Sequence, residues 1–259
     1  MSPFRLLFVG LFVTLSVPGA VDEQSGRVWV PDGEFAPLLR SRDEPEVVPV
    51  PGFWMDVHPV TNLQYLAFVQ THPEWARSRV MRLFADEQYL AHWAGDFELG
   101  PGAPPDAPVV LVSWFSARAY AESRDARLPT IAEWERTAAV GIETDNARTD
   151  PAVAAVLAKW FSSPGGGPLP DVGDGLPNRL ALHDLFGLVW EWVEDFNTAL
   201  VTGESRADTG LERNLFCGAG SVGARDNTDY PAFMRAGFRS SLRAAYCVPN
   251  LGFRCVVSA

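Results

Sequence analysis

Apolar and polar positions alternate unevenly along this chain, and the pattern predicts short elements joined by long turns. An apolar run, Val28-Trp29-Val30, meets the turn residues Pro31-Asp32-Gly33 and reads as a strand entering a hairpin. The stretch from Ser41 to Glu46 is charged and reads as a surface loop, and Val47 to Asp56 reads as a second strand with prolines at edge or irregular positions. Thr61 with Gln64 has the spacing of a capping box, and Tyr65, Phe68 and Val69 follow at helical spacing, so a short helix begins near Thr61. An aromatic-bearing segment with Phe84, Tyr89, Trp93 and Phe97 ends in the Pro/Gly-rich stretch 101–108. Val109 to Val112 then reads as a buried strand, and Ser113 is placed to cap a helix running through Ala121. Thr130 and Glu133 form a second capping box, with Trp134 and Ala138 on one helix face. From Asp150 to Asn178 the composition turns to Gly, Pro and Ala, and the run 164–168 breaks any helix. The expectation is at most three short helices, no internal repeat and one domain over residues 21–259.

Composition sharpens this picture. A 47% hydrophobic chain of 259 residues buries a sizeable core, while nine Trp, 16 Phe, 22 Gly and 21 Pro favour a loop-rich fold stapled by aromatics over a helical bundle. The net charge of −11 is spread as single Asp and Glu residues with no Lys/Arg cluster, which excludes nucleic acid as the natural partner and reads as solubility. At the start, Arg5 precedes an apolar run from Leu6 to Val17 and the small-residue stretch Pro18-Gly19-Ala20. That is the form of a secretory signal over residues 1–20, too short to span a bilayer comfortably, with an uncleaved anchor as the alternative. The expected location is periplasmic or secreted. Three cysteines, Cys217, Cys247 and Cys255, lie near the C-terminus; in an oxidising compartment two can pair, and sequence leaves the pairing open.

Five segments in order carry a family resemblance. They are Phe53-Trp54-Met55-Asp56 with Val60-Thr61-Asn62 and Tyr65 to Phe68; Pro108 to Trp114 with Ala117 and Tyr120; Arg127-Leu128-Pro129-Thr130 with Glu133-Trp134-Glu135; Asp184 to Trp192; and Asn250-Leu251-Gly252-Phe253-Arg254-Cys255. Together they resemble the formylglycine-generating enzyme, or sulfatase-modifying factor, superfamily along nearly the whole chain. The resemblance implies an α+β, C-type-lectin-like variant fold, loop-rich, with few short helices and small antiparallel sheets. Trp114, Trp134, Trp190 and Trp192 are then expected as core anchors, and Arg127 and Arg254 as donors to buried carbonyls or carboxylates.

The chemistry of the resemblance is incomplete here. Oxidising members hold copper through two cysteines close together, since thiolates select Cu(I). The corresponding segment, Gly218 to Phe233, contains no cysteine, so copper is not expected. A Cys217–Cys255 disulfide is what the family pattern implies, with a Cys217–Cys247 soft-metal pair as the sharper alternative. His58, His72, His92 and His183 lack the spacing of an iron triad and read as structural. Calcium is the ion the resemblance implies, partly through Glu191, although Leu188 stands where relatives carry Asn. The stretch from Cys217 to Arg243 is either a Gly-rich turn leading into an amphipathic helix or the lining of a cleft in which Ser221, Arg225, Tyr230, Arg239 and Arg243 contact a substrate or partner. It is similar to a periplasmic, NirV-like subgroup that accompanies copper nitrite reductase. The expected function is an accessory or maturation factor for another exported protein. The alternatives are a divergent oxidoreductase acting on a small molecule, as in the pyoverdine-maturation branch, or formylglycine formation itself.

Overall fold

The computed structural model describes residues 21–22, 26–38, 45–163, 167–197 and 229–259. The leader at 1–20 lies outside them, as do Cys217, Ser221 and Arg225. Among the described residues no helix is long and apolar enough to cross a membrane.

The central sheet has the order β1-β2-β5-β8, from β1 (Val21–Asp22), β2 (Arg27–Val30), β5 (Phe53–Asp56) and β8 (Val256–Ser258), all antiparallel. Its middle strand alternates poorly because both faces are covered: Phe53 and Met55 are buried, and Trp54 meets Trp29 at 5.5 Å between ring centroids on the outer face. The turn at Pro31-Asp32 leads not into a hairpin with β2 but into a second sheet. There β3 (Gly33–Phe35) pairs with β4 (Val48–Val50), while β2 takes β5 as its partner. The expected hairpin is therefore split between two sheets. The local signal is a turn, and the pairing is decided by which apolar face can be buried on the core.

The three expected helices form where their caps stand. They are α1 (Asn62–Thr71), α2 (Trp114–Glu122) and α3 (Ile131–Ala138), with N-caps Thr61, Ser113 and Thr130, each a reciprocal capping box. Two more helices correct the count: α4 (Pro151–Ser162) and α5 (Tyr230–Ser240). Asp150 caps α4, taking hydrogen bonds from the N–H groups of Ala152 and Val153, with Pro151 at the first helical position. Asp229 caps α5 in the same way through Ala232 N–H.

Val109 to Val112 is buried but is not a strand. Leu111 sits at φ 56°, in the left-handed region, which breaks any ladder. Its backbone groups are satisfied irregularly instead, Val109 N–H by Val60 O at 2.9 Å and Leu111 N–H by Val248 O at 3.1 Å.

The core is aromatic. Tyr65 packs edge-to-face or stacked against Trp93, Tyr120 and Phe253 at 5.7–6.2 Å between ring centroids, and Tyr120 meets Phe253 at 5.3 Å. Trp134 and Trp192 are buried as expected, whereas Trp114 and Trp190 are half-buried. A short parallel pair, β6 (Trp190–Glu191) with β7 (Leu251–Gly252), ties the C-terminal segment to the centre. Gly252 is required there: a Cβ would come within 2.7 Å of Val109 O.

Candidate functional site

The β6/β7 pairing sets Glu191 beside Arg254 at the bottom of the site. Arg254 Nε donates to both carboxylate oxygens of Glu191, at 3.1 and 2.9 Å, and Nη2 donates to Oε1 at 2.8 Å. The remaining donors reach the carbonyls of Asp56, Val57 and His183. Trp134 Nε1–H adds a bond to Glu191 Oε2 at 2.8 Å. A fully buried guanidinium is tolerable only with its donors met, and here carbonyls and carboxylate meet them.

This arrangement bears on calcium. A calcium ligand needs a carboxylate oxygen open to the ion. Both oxygens of Glu191 are engaged by the guanidinium and the indole, and a divalent cation would face the Arg254 charge at close range. The Glu191 side chain does not fit that role, and among the described residues no group of three or more His, Cys, Asp or Glu side chains is placed to hold a metal ion.

Trp134 couples this lower layer to an upper one. Its neighbour on α3, Glu135, binds two arginines of α5: Arg235 through Nε and Nη2 at 2.9 and 2.7 Å, and Arg239 through Nη1. Both guanidinium carbons lie over the Trp134 ring, at 5.3 and 5.0 Å from its centroid. Burial pushes the Glu135 carboxyl up, but the charges and hydrogen bonds of Arg235 and Arg239 prevail and hold it at about 2. Residues four apart on a helix share a face, so the Arg235/Arg239 spacing was a readable sign of a shared acidic partner. Glu135, Trp134 and Arg235 are not legible as a unit in the sequence because Arg235 lies 100 positions from Glu135.

Over this layer runs an aromatic crevice between α4, β6 and α5. Trp160 lies 4.8 Å from Trp190, which stacks on Phe238 at 4.9 Å and 22°. Phe161 and Tyr230 stand at the rim, 45% and 58% exposed. The crevice is tight: its cavity volume is about 20 Å³, room for roughly one water.

Of the five expected contact residues, Arg239 lines this crevice and Tyr230 stands at its edge, 6.4 Å from Phe161 between ring centroids, at the other end of α5. Arg243 does not: α5 ends at Ser240, and Arg243 is exposed with its guanidinium over Tyr246, 5.8 Å from the centroid. Ser221 and Arg225 fall outside the described residues. Cys247 and Cys255 are buried and free; Cys217, the expected partner of Cys255, is not among the described residues. Burial pushes both thiols well up, and Asp86 beside Cys247 and Asp56 beside Cys255 act in the same direction. Arg127, as expected of it, serves a carboxylate, gripping Glu133 at 2.7 and 2.6 Å.

A loop-rich α+β fold with small antiparallel sheets, stapled by buried Trp, Arg and Glu side chains, defines a formylglycine-generating-enzyme-like domain. The chain belongs to that family: the sulfatase-modifying factor enzyme 1-like domain matches residues 14–259. It is 30% identical over 277 residues to the inactive C-alpha-formylglycine-generating enzyme 2 of Mus musculus, spanning 90% of this chain and 85% of that one. It is also 31% identical over 176 residues to the serine/threonine-protein kinase pkn1 of Chlamydia pneumoniae, covering 65% of this chain but only 27% of that protein's length. In structure it is similar to PvdO from Pseudomonas aeruginosa, with a TM-score of 0.50 over 90% of this chain and 94% of that one at 17% identity, a likeness of fold alone.

Proposed function

We propose that this chain is a non-oxidase member of its family, an exported accessory or maturation factor that binds another exported protein. A copper enzyme such as nitrite reductase is the partner suggested by the NirV-like pattern of residues 217–243. One observation carries the reading: the segment Gly218 to Phe233 has no cysteine, so the paired thiolates that would hold Cu(I) are missing from it. The surroundings of Cys247 and Cys255 favour the protonated thiol over the thiolate that metal binding needs. The similarity to a mouse protein named as inactive supports the same reading. A divergent oxidoreductase working on a small molecule is the second reading, favoured by Arg239 and Tyr230 near an aromatic crevice.

The test is a pair of measurements. The purified protein with Cu(I) and a Cys-x-Pro-x-Arg peptide should yield no aldehyde by mass spectrometry, and aldehyde formation overturns the non-oxidase reading. Deleting the gene should lower the activity and copper content of an exported copper enzyme, and an unchanged partner removes the copper-specific part.

A further inference from the structure

The outer face of the central sheet takes no part in the core. On it Trp29 of β2, Trp54 of β5 and Val257 of β8 stand side by side in register, each half-buried and each outside the hydrophobic cluster that the inner face completes. The two indole rings meet at 5.5 Å and 58°. Trp93, Trp114, Trp134 and Trp192 have the indole N–H bonded inside the protein, whereas those of Trp29 and Trp54 have no partner among the described residues. An amphipathic ring with a spare donor suits a boundary between water and an apolar phase. The charged row farther along the same face is balanced: Asp22 lies opposite Arg27, Arg27 pairs with Asp56 at 3.0 Å, and Arg124 lies 4.0 Å from Asp56.

What precedes β1 says what meets this face. The edge strand begins at Val21, directly after the apolar run Leu6 to Val17 and the linking residues Pro18-Gly19-Ala20. Val21 pairs with Val28, so the chain enters the sheet one strand from Trp29 and two from Trp54, roughly 5 and 10 Å away. The linking residues reach about 10 Å at most. An apolar run of this length is about 18 Å long as a helix, short of the roughly 30 Å hydrocarbon core. From this we infer that the face carrying Trp29 and Trp54 rests on a lipid bilayer, held there by a leader that stays on the chain. So short a leader and linker keep the domain against the headgroups, and tryptophan is a side chain that collects at that depth. The balanced charges mean that no lone charge is brought to the bilayer surface. This placement shares only export with the accessory reading; neither the partner nor the copper chemistry enters it.

The test reconstitutes the full chain, leader included, into phosphatidylcholine vesicles whose acyl chains carry bromine close to the headgroup, and reads tryptophan emission. Bromine at that depth should quench it. Trp29→Phe combined with Trp54→Phe, which keeps an aromatic pair on the two strands, should remove at least about half of the quenching. Trp160→Phe, on α4, should leave it unchanged. Val257→Lys keeps both rings in place and sets a charge between them and the lipid; it should reduce the quenching at least about twofold. Quenching that survives the double substitution and Val257→Lys, quenching lost with Trp160→Phe instead, or none at all would each overturn the assignment. So would a mature chain from the cell whose mass shows the leader removed after Ala20, a result that leaves the accessory reading untouched.

Discussion

Glu191 and Arg254, 63 positions apart in the chain, face each other in the core as an ion pair with side chains no more than 1% exposed. Neither can be removed alone without stranding the other. Glu191→Gln leaves a buried guanidinium without its counter-charge and should cost about 3–5 kcal/mol in urea unfolding. A loss under about 1 kcal/mol would mean that the carbonyls of Asp56, Val57 and His183 suffice to hold the arginine.

His92 makes the fold acid-sensitive. Burial, and then the charge of Arg77, push its pKa down from 6.5 to about 4, and its Nδ1 is buried without a hydrogen bond. Because the unfolded chain takes up this proton more readily, the contribution of neutral His92 is complete above about pH 6.5 and is lost as pH falls toward 4. The loss should be on the order of 1–3 kcal/mol. Urea midpoints measured from pH 7 to 4 should fall more steeply for the native chain than for His92→Leu; parallel curves would refute this.

Asp150 organises the start of α4. Burial raises its carboxyl, but backbone N–H donors from Thr144, Glu143, Ala152 and Val153 prevail and hold it at about 2. Asp150→Ala should lower the melting temperature by several degrees, and hydrogen exchange should speed up first in Pro151–Ser162.

Glu135 holds α5 in place. Replacing it with Gln sets two guanidiniums on one indole face with no charge between them. Exchange protection over Tyr230–Ser240 should drop at least about tenfold while the central sheet keeps its protection. A uniform loss across the chain would show instead that Glu135 supports the whole core.

Local signals were legible and long-range ones were not. The Thr61, Ser113 and Thr130 caps could be read because a cap and its partner lie within a few residues. The same logic applied to Asp150-Pro151, but the Ala- and Gly-rich composition that follows obscured the helix. Val109 to Val112 carries the hydrophobicity of a strand, and nothing local shows that Leu111 turns left-handed. Arg239 is legible from its neighbourhood as a candidate contact residue, whereas the carboxylate that positions it lies on α3, 104 residues away. Arg243 shares its spacing, and only the end of α5 at Ser240 removes it from the crevice.

The central sheet has a temporal consequence. Phe53–Asp56 is flanked by Arg27–Val30 on one side and Val256–Ser258 on the other, so one edge of this early strand stays bare until a segment about two hundred positions later has been translated. A ribosome-bound chain therefore holds an unfinished sheet with Met55 and Phe53 lacking their final neighbour. Loss of Val256–Ser258 should be felt about two hundred positions upstream, at Phe53–Met55.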